Sequence, residues 1–219
     1  MKLSFTATFT ALAALALPVT AQLTEQQIVN AINAVATMSS NANTALEPLS
    51  TATAGAQVAA YSEALAEAFT GIITAVNSTI PALLATPPFT EVAQNVHSTR
   101  QTTPGAAVVA ALDNFVAIHQ ALLATVIGKH SPFAQFALTA PIAAVLRILE
   151  AVVDSFAFAL IAVIPTQATV PQLSSRAAHT ISSDQAALQT AIGNTITTYN
   201  EVCIPSPLYP IVLPVCASA

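Results

Sequence analysis

The sequence has little charge. Lys and Arg together number 5 and Asp and Glu 10 in 219 residues, so 7% of the chain is charged and the formal net charge is −5 at pH 7. Binding nucleic acid requires clustered Lys and Arg to neutralise phosphates, and electrostatic docking on anionic lipid requires the same; neither fits. Trp is absent, aromatic residues make up 5%, and Gly numbers 5. No glycine-rich phosphate loop, Gly-x-Ser-x-Gly elbow or His-Glu-x-x-His motif is present. What is abundant is apolar: 54% of residues are hydrophobic. Such a chain is too apolar for disorder, and its length suits one domain with a sizeable core.

Cysteine is scarce too. Cys203 and Cys216, in "CIPSPLYPIVLPVC", are the two present. In an exported protein such a pair forms a disulfide, here closing a loop already stiffened by Pro205, Pro207, Pro210 and Pro214. A zinc site would need further ligands, and none is read beside them. Export is itself expected: Met1-Lys2 opens a hydrophobic run through Pro18, and Val19-Thr20-Ala21 matches a cleavage site. Residues 1–21 are therefore read as a signal peptide, and the protein as secreted, extracellular or cell-wall bound. Asn77-Ser78-Thr79 is then an N-glycosylation sequon with Asn77 as acceptor.

Helical spacing runs through the rest. Thr24 and Gln27 form a capping box ahead of a face of Ile28, Ile32, Val35, Ala42 and Leu46. Pro48 and Gly55 break it. Val58, Tyr61, Leu65, Phe69, Ile72 and Val76 share the next face, which "STIPALLATPPFT" is expected to end. A short helix is expected around Glu91–Ser98. Val108, Leu112, Phe115, His119, Leu122 and Val126 mark a further helix, with "GKHSP" reading as its stop. Another starts near Thr139, with Pro141 in its first turn, and stops at Pro165. Ile181, Leu188, Ile192, Thr195 and Tyr199 mark the last. The expected fold is all-α, an antiparallel bundle of about five helices with a central apolar cavity. It spans residues 22–201, followed by a Pro-rich tail, 202–219.

"AAVLRILEAVVDSFAFALIAVI", residues 143–164, is long enough to cross a bilayer. Its Arg147, Glu150 and Asp154 fall on one narrow stripe, with Arg147 and Glu150 spaced to pair. Each charge would cost ~2.5–3.5 kcal/mol at a bilayer centre, so no transmembrane span is read here.

The segment "ALLATVIGKHSPFAQFALTAPIAAVLRILEAVVDSFAFALIAVIP" resembles the fungal hydrophobic surface-binding protein A family, which includes cell wall mannoproteins. The matching positions are Leu122, Leu123, Lys129, Phe133, Leu138, Thr139, Val145, Leu146, Leu149, Asp154, Phe156, Leu160, Ile161 and Pro165. Two features depart from the pattern: His130 in place of a second lysine, and the Cys203–Cys216 tail. The resemblance implies a secreted, non-catalytic binding protein. Some members hold fatty acids or similar lipids inside the bundle; others adsorb to hydrophobic surfaces and recruit a secreted hydrolase, or serve as structural wall mannoproteins.

The residues themselves point the same way. So little charge leaves little polar surface to cover a core, so an apolar patch or a cavity is expected. The candidate walls are Phe69, Ile72, Leu112, Phe115, Leu122, Leu146, Leu149, Val153, Phe156, Leu160 and Leu188, with His119 or Tyr61 to orient a carboxylate. Ordinary core is the competing account of the same residues. The histidines carry no catalytic pattern: His119 lies on an apolar seam, and His97, His130 and His179 read as loop or surface. Asp113 and His119 fall on different faces of one helix, and Glu63/Glu67 and Glu150/Asp154 read as solvated stripes. No enzyme, cofactor or metal is expected.

Overall fold

The computed structural model describes residues 22–89, 105–164 and 180–217. The signal peptide, the Glu91–Ser98 helix, His97 and His179 lie outside the described residues. Six helices are described: α1 Glu25–Leu46, α2 Gly55–Leu84, α3 Ala106–Gly128, α4 His130–Gln135, α5 Thr139–Val163 and α6 Ile181–Tyr199. Two three-residue strands follow, β1 Val202–Ile204 and β2 Val215–Ala217, paired antiparallel with Cys203 opposite Cys216.

The Thr24 capping box forms, with the threonine side chain accepting from Gln27 N and the glutamine side chain from Thr24 N. The face read for α1 is buried throughout. Two boundaries fall inside the expected stretches but carry more structure than a simple stop. Helix α2 runs through Pro81 to Leu84. Proline removes one ladder bond, but Leu83 is fully buried and Thr86 Oγ1 receives the Leu23 amide at 2.9 Å, so the last turn is held from outside. "GKHSP" does end α3, yet it also starts α4, because Pro132 falls in that helix's first turn, where a missing N–H costs nothing. Phe133, fully buried against Tyr199, anchors the turn. Ala137 then adopts φ 55°, and the Leu138 and Ala137 amides return to Phe133 O and Ala134 O, a Schellman stop made without glycine.

The five long helices close a ring in the order α1–α3–α6–α5–α2 and back to α1. Successive long helices alternate in direction, as expected of an antiparallel bundle, and the ring also sets parallel helices side by side. Ser39 of α1 meets His119 of α3, and Lys129 at the end of α3 meets Glu47 and Leu49 just beyond α1, so these two run parallel. Gln120 to Ala187 and Val126 to Tyr199 make α3 and α6 parallel. Asp154 to Gln185 and Arg147 to Asn200 make α5 and α6 antiparallel. Helix α4 turns the corner from α3 to α5 and touches β1, which places the tail hairpin at that end.

A ring of five has a wider centre than a bundle of four, and large side chains fill it. Phe69, Ile72, Leu122, Leu146 and Tyr199 are all at or below 2% exposure. By length and composition α2 and α3 could cross a membrane; here both bury their apolar faces against the bundle. The polar stripe of α5 lies along α6, where Arg147 donates to Asn200 Oδ1 at 2.6 Å instead of serving Glu150.

Candidate functional site

The ring's centre is not completely filled. Between α2, α3, α5 and α6 lies a cavity of about 20 Å³ lined by Ile72, Val76, Leu112, Phe115, Val153, Phe156, Ala157, Ile181, Gln185 and Leu188. No polar atom faces it, so Gln185 presents its aliphatic stem. These walls come from helices that are not all ring neighbours, which marks the space as lumen and not a seam between two helices. About 20 Å³ admits roughly one water-sized probe, and an apolar lining gives water no partner.

Six of the sequence-derived wall residues meet here: Ile72, Leu112, Phe115, Val153, Phe156 and Leu188. Phe69, Leu122, Leu146, Leu149 and Leu160 are buried in the same core but do not line the cavity. Val76, Ala157, Ile181 and Gln185 were not among the expected walls. Val76 was on the recognised face one turn beyond Ile72, and Ile181 on the face read for α6. Ala157 and Gln185 carried no apolar signal large enough to single them out.

Neither residue expected to orient a carboxylate reaches the cavity. Tyr61 is half-buried on α2. His119 is fully buried, packed against Phe115 at 5.2 Å and Phe69 at 6.3 Å between ring centroids. The Ser39 hydroxyl donates to Val35 O, so its oxygen accepts from His119 Nδ1–H at 2.9 Å. Nε2 then carries a lone pair with no partner among the described residues. Desolvation lowers this histidine's pKa to about 4. By distance Ser39 and His119 resemble a nucleophile and base, but both are closed to water, the imidazole is a weak base there, and the serine proton is already given away.

Polar groups gather at the α5–α6 edge. Asp154 Oδ1 accepts from Gln189 Nε2 at 2.6 Å and from Gln185 Nε2 at 3.2 Å. This joins the cavity wall at Gln185 to the charged stripe of α5. Glu63 and Glu67 are exposed, on one side of an open groove of about 570 Å³ between α2 and the start of α5.

His130, expected at the surface, is 8% exposed, edge-on to Tyr199 at 5.1 Å between centroids. Burial lowers its pKa and the Glu201 carboxylate opposes the shift. Helix α4 brings it inward by seating Phe133 in the core. The expectation that no metal ligand lies near the cysteines is corrected as well: His130, Glu201, Cys203 and Cys216 offer ligand atoms within 4.8 Å of one another. Both sulfurs are joined in the Cys203–Cys216 disulfide, and it is the thiolate that binds metal. Asn77 is exposed in mid-α2, and Ser78 and Thr79 donate back to Ala75 O.

No family model and no curated protein matches the sequence. A solved structure does match the fold: ligand-binding domain 2 of the Penicillium marneffei MP1 protein, complexed with multiple arachidonic acids. The TM-score is 0.58 at 14% identity, covering 80% of this chain and 92% of that one. The chain shares the all-helical fold of that fungal domain.

Proposed function

We propose that the protein is a secreted, non-catalytic lipid-binding protein that takes a fatty acyl chain into the ring lumen between α2, α3, α5 and α6. The carrying observation is the wholly apolar cavity that four helices line across the ring. The fold of a domain complexed with arachidonic acids supports the choice of ligand class, and the sequence resemblance to the fungal surface-binding and mannoprotein family agrees with it. Ligand pockets run to ~300 Å³ and more, so the walls must part. Aliphatic contacts allow that, since a wall that loses its neighbour regains dispersion and burial against an acyl chain. The Gln185 and Gln189 amides at the α5–α6 edge can turn from Asp154 to a head group.

A fluorescent fatty acid titrated into delipidated protein tests this. Ala157→Leu adds bulk where the cavity is narrowest in side chain and is expected to weaken binding about tenfold or more, at an overpacking cost of about 1–3 kcal/mol. Absence of saturable binding by the unaltered chain, or equal affinity of the variant, would refute the lumen as the site.

A further inference from the structure

The tail hairpin differs from the rest of the surface. From Val202 to Ala219 there is no charged residue. Seven of the eleven large apolar side chains exposed among the described residues belong to it: Val202, Ile204, Leu208, Val215 and the run Ile211–Leu213, with Ile211 at 90% exposure. Concentrated apolar exposure of this kind marks an interaction surface.

The loop is held in shape. The Cys203–Cys216 disulfide closes it, and Gln135 clasps it with two bonds, Nε2 to Ser206 O at 3.0 Å and Ser206 N to Oε1 at 2.8 Å. Phe136 packs edge-on against Tyr209. Its exposed side chains therefore have no obvious way to fold back.

Its main chain says what it can meet. Of the ten residues 205–214, four are prolines with no N–H. Five others donate inside the protein: Ser206 to Gln135, Leu208 to the Ser206 hydroxyl, Tyr209 to Ser206 O, and Ile211 and Val212 to Leu208 O. A protein partner adding along a chain edge draws on free backbone donors, and this loop has committed all of its own but the Leu213 amide. Hydrocarbon demands that commitment, because an unsatisfied backbone group there costs several kcal/mol. With no Lys or Arg in the loop and a chain charge of −5, an anionic surface gives no attraction.

We propose that this hairpin is a wedge that inserts its Ile211–Leu213 tip into the headgroup–acyl boundary of a zwitterionic phospholipid bilayer. Insertion is driven by apolar burial alone, so it is insensitive to salt. The inference rests on the hairpin and is independent of the lumen, which a fatty-acid titration in solution reads separately.

Flotation of the full chain with phosphatidylcholine vesicles is the experiment, using the unaltered protein, the double variant Ile211→Asp/Leu213→Asp, and Phe158→Asp. Phe158 is an exposed apolar residue on α5, 66% accessible and away from the loop. The unaltered protein is expected to float equally at low and high salt. The double variant should lose roughly tenfold or more in partitioning, with an unchanged circular-dichroism melt, while Phe158→Asp keeps it. The proposal is overturned if the unaltered chain does not float, or floats only with anionic vesicles. It is equally overturned if the double variant floats as well, or if Phe158→Asp loses as much. Light scattering showing instead a homodimer that the double variant dissolves would make the tip a self-association face and overturn it too.

Discussion

His119 has no access to water, and its one committed proton goes to the Ser39 oxygen. Adding a second proton at Nε2 would bury a charge among Phe69, Phe115 and aliphatic neighbours, which is why desolvation lowers the pKa to about 4. The unfolded value is 6.5, so between these two pH values the unfolded chain binds the extra proton. The stability is fully present above pH 6.5 and is lost as pH falls toward 4, by roughly 3 kcal/mol in all. His119→Leu removes that titration. Urea unfolding at pH 7, 5.5 and 4 is expected to show a decline in the variant smaller than in the parent by about that amount. His130, whose pKa is shifted in the same direction, is present in both and cancels from the comparison. Parallel declines would show that His119 does not titrate as its burial requires.

Among elements, the scarce charges are spent at helix ends. Helix α3 begins at Gly105, φ 84°, with no side-chain cap of its own. Glu25 from the first turn of α1 supplies it, its Oε1 accepting from Gly105 N at 3.1 Å and Ala107 N at 3.3 Å. At the opposite end Lys129, just past α3, donates from Nζ to Glu47 O and Leu49 O beyond α1. The parallel pair thus exchanges caps, an anion at an N-terminus and a cation at a C-terminus, as the helix dipoles favour. Glu25→Ala and Lys129→Ala are each expected to lower stability by about 1 kcal/mol, and additively, since the sites lie a helix length apart. A double-mutant cycle by urea unfolding checks both statements. Lys129 also shows what was legible and what was not. Its place at a helix end could be read locally, as could the Thr24 box and the Thr139 start, because caps and the 3.6-residue period are short-range. Its partner could not, because ring order is a long-range choice among apolar faces that look alike. For the same reason six of the walls read from the sequence line the cavity while His119 packs away from it, and His130 reads as off the core but is buried. A face says that a residue is inward, not which neighbour it meets.

At the scale of the molecule, the lumen and the ring must be reconciled. The cavity is about 20 Å³, while an acyl chain needs a space roughly ten times larger or more. A ligand of that size enters only an opened form of the ring, which makes the opening equilibrium part of the binding reaction. One line along which the ring can open is the α5–α6 edge, since it borders the cavity through Gln185 and is fastened by side-chain bonds. Those are Asp154 with Gln185 and Gln189, and Arg147 with Asn200. The α1–α3 edge is tied at both ends by exchanged caps, and α1 contributes no wall to the cavity. Stopped-flow mixing with a fluorescent fatty acid should therefore give a rate that rises with ligand concentration and then levels off at the opening rate. Arg147→Ala combined with Gln189→Ala unfastens α5 from α6 and is expected to raise that plateau severalfold. Glu25→Ala, which loosens α1 from α3, should leave it unchanged. A rate linear in ligand throughout would mean that the ring need not open first, and a plateau raised by Glu25→Ala instead would place the opening on the other side of the ring.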